Sequence, residues 1–249
     1  MNALHFITVT AFLSVFGFTV LKTQPADATT INFSLDIQPI DVCDNSGSNC
    51  APINLFEPET KKIWEQAGIG INFLTPTTIS NTNFLSIDTD SEFNSLTLGA
   101  GNGQSSNSKT LNMWFVSNLF PDPTNITFGN AYLGGNGVVI NSPAVINNNR
   151  IDTIAHEIGH NLGLDHTSYG AGGANNLMTA GTNRTVPSSI FDINPSGNQL
   201  DVLTPQQISV ATSSQLLTPV PEPVTILGSL VACVIGANLK MMHKKSSEE

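Results

Sequence analysis

Charge is scarce in this chain. Only 11% of its 249 residues are Asp, Glu, Lys or Arg, and 9 Lys and Arg stand against 19 Asp and Glu, a formal net charge of −10. Binding to nucleic acid needs clustered basic side chains to neutralise phosphates. Residues 29–221 hold 5 basic side chains against 15 acidic ones, so a nucleic-acid partner is excluded. The acidity belongs to the central domain itself and serves solubility. Cysteine is nearly absent: of three, Cys233 lies in an apolar terminal run, which leaves Cys43 and Cys50. The flexible loop between them can close as a disulfide in an oxidising compartment. Internal repeats and an EF-hand pattern are both missing. Asp88, Asp90 and Glu92 alternate and could bind Ca²⁺, although a solvated acidic turn is the plainer reading. Asn, Ser, Thr and Gly are abundant, as on the weakly charged surfaces of many secreted β-rich proteins.

Histidine is rare too, and its placement is informative. Of five, His5 and His243 fall in terminal segments, and the other three lie in Ala155-His156-Glu157-Ile158-Gly159-His160-Asn161-Leu162-Gly163-Leu164-Asp165-His166. On a helix His156 and His160 share one face and can reach one metal ion. Glu157 lies about 100° further round, close enough to act on a water at that metal. Gly163 can take a left-handed conformation that ends the helix. The chain then turns back, and His166 can supply a third nitrogen. Three protein ligands with an open fourth position describe a catalytic zinc site. Ile151, Ile154, Ile158 and Leu162 project on the opposite face and can bury against a core. Asn149 suits the N-cap and Asp152 the first turn. Two other readings stand beside this one: buried, hydrogen-bonded histidines without metal, and a zinc site that binds without cleaving.

The segment resembles the H-E-x-x-H-x-x-G-x-x-H signature of the metzincin metalloproteases. Asn175-Asn176-Leu177-Met178-Thr179-Ala180-Gly181 resembles the family's methionine turn beneath the zinc. Upstream, a helix from Pro58 to Ala67 and a strand from Ile69 to Phe73 resemble the first helix and strand of such a domain. The segment 128–135, with Asn130, Ala131, Tyr132 and Leu133, resembles the sheet edge that pairs with substrate, where an extended peptide adds by main-chain hydrogen bonds. Leu203-Thr204-Pro205-Gln206-Gln207-Ile208 begins a helix capped by Thr204, Pro205 and Gln207, similar to the family's C-terminal helix. Strands are expected at 111–116 and 137–141, and loops around short strands over 74–110. Thr167 matches no usual subfamily marker, and no tyrosine follows Met178 to serve as a fifth ligand. Within the resemblance, Cys43 or Cys50 could instead block the zinc, as a matrixin cysteine switch does. The residues around them do not match that motif, and the disulfide is preferred.

Both ends read as addresses. Residues 6–21 are apolar and are followed by Ala26-Asp27-Ala28, the pattern of a signal peptide cleaved after Ala28; an uncleaved anchor is the alternative. Pro221-Glu222-Pro223, the apolar run 224–239, and Lys240, Lys244 and Lys245 resemble a PEP-CTERM sorting signal of exported bacterial proteins. That resemblance implies an exosortase-type enzyme as partner, transient membrane insertion of the terminal segments, and removal of the tail; a plain membrane anchor is the alternative. About 25 residues separate Ala28 from the first helix, which leaves little room for a large prodomain.

The expected organisation is a signal peptide (1–28), an N-terminal segment (29–55), a metzincin-like catalytic domain (56–216) and a sorting signal (217–249). The expected fold is α+β: a mixed sheet with an active-site helix, a backing helix and a C-terminal helix. The expected function is a secreted zinc endopeptidase acting on protein or peptide. His156, His160 and His166 would hold Zn²⁺, Glu157 would serve as general base, and Met178 would lie below. The rival is a non-catalytic zinc-containing matrix or surface binding protein.

Overall fold

The computed structural model describes residues 30–221. The expected signal peptide and the sorting signal beyond Pro221 lie outside the described residues. In chain order the elements are β1 (Phe33–Cys43), α1 (Glu57–Glu65), β2 (Ile69–Phe73), β3 (Thr77–Ser80), β4 (Ser86–Ile87) and α2 (Asp90–Leu98). They continue with β5 (Leu111–Val116), β6 (Asn118–Leu119), β7 (Gly129–Ala131), β8 (Gly137–Asn141), α3 (Ser142–Asn147), α4 (Thr153–Asn161), α5 (Pro205–Thr212) and β9 (Thr218–Pro219). Among the described residues no helix is long and apolar enough to cross a membrane.

The main sheet runs β2-β1-β5-β8-β7, with β3 and β9 also paired to β1. β1 is parallel to β2, β3 and β5, and β5 is parallel to β8. β7 is antiparallel to β8 and forms the end of the path. All six residues of β5 are buried, as expected for a parallel strand covered on both faces. Alternation sends Met113 and Phe115 into the larger core, with Leu35 and Ile37 of β1 and Trp64 of α1. Trp114 and Val116 enter a second core with Ile40 and Val42 of β1 and Phe93 and Leu96 of α2. The domain is thus a mixed sheet with α1 and α4 on one face and α2 on the other, the expected combination of helices and mixed sheet. Trp64 is fully buried, and its Nε1 donates to the Ala155 carbonyl of α4 at 3.2 Å. That contact fixes the backing helix against the motif helix; truncating a buried Trp typically costs about 3–5 kcal/mol.

Several expectations change. The segment 29–55, set apart ahead of the domain, contributes β1, the longest strand, and β1 touches four others. The stretch 74–110 contains α2, which was expected as loop. Its low apolar content hid the period, but its N-terminus is a complete capping box: Thr89 Oγ1 accepts from the Glu92 amide at 3.2 Å, and the Glu92 carboxylate accepts from the Thr89 amide at 3.1 Å. Glu92 also accepts from the Asp88 amide. Asp88, Asp90 and Glu92 therefore build a helix start, and among the described residues they do not converge as a cation site. α1 starts and ends within two residues of the expected span. α5 begins as expected, with Thr204 accepting from the Gln207 amide and Pro205 at the first turn.

Cys43 and Cys50 are joined by a disulfide. It closes a turn organised by Asp44, whose carboxylate accepts from the Ser46 and Ser48 amides at 3.0 Å each. Cross-linking so short a loop removes on the order of 2 kcal/mol of unfolded-state entropy. The double substitution Cys43→Ala with Cys50→Ala should lower the unfolding free energy by about that much, read by urea denaturation. An unchanged midpoint would show that the Asp44 turn closes the loop without the bond.

Candidate metal centre

Three side chains on one helix and the turn after it define the site. α4 ends where Gly163 takes φ +94°. The Gly163 amide donates to the His160 carbonyl, and the Leu164 amide to the Gly159 carbonyl, each at 2.9 Å. This is the paired C-terminal hydrogen bonding of a Schellman motif, and it turns the chain back over the helix. Asp165 then caps the following turn, accepting from the Thr167 amide at 2.7 Å and the Ser168 amide at 2.6 Å. Those hydrogen bonds hold its carboxyl down at about 2. Between the two turns, His166 comes back toward His156 and His160.

The convergence is tight. Nε2 of His166 lies 3.0 Å from Nε2 of His156 and 3.1 Å from Nε2 of His160. The other ring nitrogens explain what those atoms carry. His156 Nδ1 is 2.7 Å from the Leu177 carbonyl, and His160 Nδ1 is 2.7 Å from the Leu164 carbonyl. A carbonyl only accepts, so each Nδ1 carries the proton and each Nε2 presents a bare lone pair. Burial, the main cause, lowers the pKa of all three rings. Nitrogen lone pairs about 3 Å apart repel unless a proton or a cation lies among them. Tetrahedral ligation of Zn²⁺ at about 2.05 Å per nitrogen would space them about 3.3 Å apart. The residues therefore fit a zinc ion. Burial falls from His156 through His160 to His166, which is exposed, so the site opens to solvent on the His166 side.

Glu157 lies beside this centre and is buried. Burial pushes its carboxyl up to about 8, with the positive charge of Arg184 pulling the other way. It lies directly under β7: a Cβ on Gly129 would come within 2.6–2.8 Å of its Cγ, Cδ and Oε1. The expected sheet edge is shorter than drawn from sequence. Asn130 and Ala131 lie in β7, whereas Tyr132 follows its end and Leu133 is an exposed turn residue. The Tyr132 hydroxyl packs away from the edge, 2.9 Å from Thr97 Oγ1 and 2.5 Å from Asn94 Oδ1 of α2. Asn161, within the motif but not singled out from sequence, ties the edge to α4. Its Nδ2 donates to the carbonyls of Tyr132, Gly135 and Gly137 at 3.2, 2.9 and 3.0 Å.

Met178 is fully buried beneath α4. A Cβ at Gly159 would meet its Sδ at 2.4 Å, so only glycine admits the methionine this closely. The turn is held by Asn176, whose Oδ1 accepts from the Met178 amide at 3.0 Å and from Gln207 Nε2 at 3.0 Å. The capping glutamine of α5 thus also fastens the methionine turn. Asp152 does not lie in the first turn of α4, and Asn149 does not cap it. Asp152 stands at the N-cap position without a capping hydrogen bond, fully buried, with Arg184 Nε at 2.9 Å and Arg150 Nε at 3.8 Å. Asp201 is fully buried near this group. No sequence signal marked Arg184 or Asp201, because both join the site from loops distant in the chain.

Residues 71–167 match a family model described as Metallo-peptidase family M12B Reprolysin-like. The match runs from β2 through His166. Among solved structures the chain is similar to an archaemetzincin from Archaeoglobus fulgidus, at 18% identity over 71% of this chain and 99% of that one, with a TM-score of 0.37. It is similar to an archaemetzincin from Methanopyrus kandleri, at 12% identity over 73% and 95%, TM-score 0.43. It is also similar to a zinc-dependent peptidase from Methanocorpusculum labreanum, at 14% identity over 70% and 99%, TM-score 0.36. No curated protein sequence matches the chain. The matched segment contains the entire three-histidine motif, and the described residues form a zinc metallopeptidase-like domain of mixed α and β structure.

Burial, chiefly, and the neighbouring Asp152 push the Asp201 carboxyl up to about 8. The native state then keeps a proton that the unfolded chain releases above about pH 4. This contribution to stability falls as pH rises from about 4 to about 8 and is level beyond. Asp201→Asn should lessen the decline in a series of thermal unfolding curves of the metal-free protein, leaving the part that the likewise raised Glu157 contributes. A variant as pH-sensitive as the wild type would assign the decline elsewhere.

Proposed function

We propose that the domain is a secreted zinc endopeptidase that binds extended peptide along β7 and hydrolyses it beside Glu157. The observation that carries this reading is the meeting of three imidazole Nε2 atoms next to a buried carboxyl, under the terminal strand of the sheet. His156, His160 and His166 would hold the ion. When bound, Zn²⁺ supplies Lewis acidity, which acidifies a water molecule and polarises a peptide carbonyl. Glu157 would supply the base: the charge of a bound ion would favour its carboxylate form, and burial strengthens its hold on a proton taken from the attacking water, which it would deliver to the departing amine. β7 supplies position. It has no strand neighbour on its outer side among the described residues, so a substrate can add there by main-chain hydrogen bonds. Gly129 lets that strand lie close to Glu157, which would bring the scissile bond near the base.

Export is the second element of the reading. The apolar run before Ala28 and the Pro-Glu-Pro, apolar, lysine order of the tail support delivery of the domain outside the cytoplasm. Transient membrane insertion and trimming by an exosortase-type partner would follow, with release to the surface or matrix.

Purified protein should cleave an unfolded substrate such as casein and contain one zinc per chain. Glu157→Ala should keep the zinc and lose at least about a hundredfold in rate, the usual scale of general-base removal. Gly129→Ala should also keep zinc and lose at least about tenfold, by displacing Glu157. Cleavage that survives Glu157→Ala would refute the base assignment. Stoichiometric zinc without any cleavage would favour the non-catalytic binding module instead. For the address, the intact mass of exported protein should lack both terminal segments, and a retained tail would indicate a plain anchor.

A further inference from the structure

The least expected feature around the centre is a buried arginine. Arg184 lies six residues beyond Met178, and its side chain is 2% exposed. Its Nη1 donates to the Leu177 carbonyl at 2.7 Å and to the Thr179 carbonyl at 3.3 Å, and it touches His156 Nδ1. Its Nε pairs with Asp152 at 2.9 Å. One planar group therefore joins the start of α4, the backbone on both sides of Met178, and the first histidine. Burying a guanidinium is costly unless it is paired and hydrogen-bonded. Here two carbonyls accept from Nη1 and the Asp152 charge lies beside Nε, although Nε itself makes no hydrogen bond.

The Leu177 carbonyl is the pivot. It has two lone pairs and receives both Arg184 Nη1 and His156 Nδ1–H. His156 can present Nε2 to a metal only while Nδ1 carries the proton, and it does so only while an acceptor faces it. Leu177 lies in an irregular turn, where no helix or strand ladder fixes its carbonyl. We infer that Arg184 is a positioning residue for the metal centre: by clamping the Leu177 and Thr179 carbonyls to Asp152 it selects the Nδ1–H form of His156 and aims Nε2 at the ion. The outer part of the cluster differs. Arg150 meets Asp152 at 3.8 Å, and its guanidinium carbon lies 4.7 Å from the Phe128 ring centroid; it makes no hydrogen bond to the methionine turn.

This inference rests on the reading of the three histidines as a zinc centre, and the test separates the two. In metal-free wild-type protein, ¹⁵N NMR of the histidine rings should show His156 in the single Nδ1–H tautomer. A mixture of tautomers would overturn the role assigned to Arg184, and this measurement needs no variant. Zinc affinity, measured by competition with a chelator, should weaken by about 10–100-fold in Arg184→Lys, the usual range for losing a partner that orients a ligand. A lysine offers one flexible ammonium in place of the planar fork. In the same variant the His156 ring should populate both tautomers. Arg184→Gln, which keeps an N–H donor without the charge, should retain more of the tautomer preference than Arg184→Lys and serves if the lysine variant folds poorly. Arg150→Lys, which disturbs only the outer pair, should lower thermal stability and leave the His156 tautomer and zinc affinity unchanged. Equal zinc affinity in wild type and a folded Arg184 variant, or an equal loss in Arg150→Lys, would reduce Arg184 to a structural ion pair. A wild type that binds no zinc would instead refute the zinc centre itself.

Discussion

Three imidazoles are aimed at one point, and the protein holds their Nε2 atoms about 3 Å apart. Much of the architecture around α4 follows from the requirement. His156 and His160 are fixed by backbone carbonyls at their far nitrogens, one from the methionine turn and one from the turn that ends the helix. Both acceptors lie outside regular structure, so each needs its own support. The Leu164 carbonyl is set by the Schellman turn at Gly163. The Leu177 carbonyl is set by Arg184, and its turn is set by Asn176 and Gln207.

Close approach is the second demand, and two glycines meet it at the centre. Gly129 admits the Glu157 side chain under the sheet edge, and Gly159 admits Met178 under the helix. Neither position has a positive φ, so absence of volume rather than backbone freedom matters there. Gly163 is the opposite case, where the left-handed φ is what the turn requires. The ligands, the buried carboxyl and the edge strand are in this way assembled within one short stretch of α4, with β7 on one side and the methionine turn on the other.

The legible part of the site was the part that is local. The i, i+4 histidines, the helix-ending Gly163 and the returning His166 lie within eleven consecutive residues, and helix geometry relates them without knowledge of the fold. The caps of α5 were readable for the same reason, since Thr204, Pro205 and Gln207 act within one turn. α2 escaped because Asn, Ser and Thr in 74–110 suggest loops, although its capping box was present in Thr89 and Glu92. β1 escaped because a single strand carries no sign of how many partners it will have. The edge at Asn130–Leu133 was placed in the right region, but β7 ends at Ala131, and Tyr132 and Leu133 lie beyond it.

What remained hidden depends on contacts between distant segments. Nothing near Asp152 in the chain announces that its carboxylate turns inward, because its partner Arg184 lies 32 residues away and meets it only after the methionine turn has folded under α4. Asp201 likewise enters the same interior from the loop before α5. The sequence by itself determined the donor set and its chemistry, since ligand type and helical spacing are properties of a few consecutive residues. Only the tertiary structure decided which histidine nitrogen carries the proton and how closely Glu157 approaches the sheet edge, because both depend on acceptors and empty space supplied by other parts of the chain.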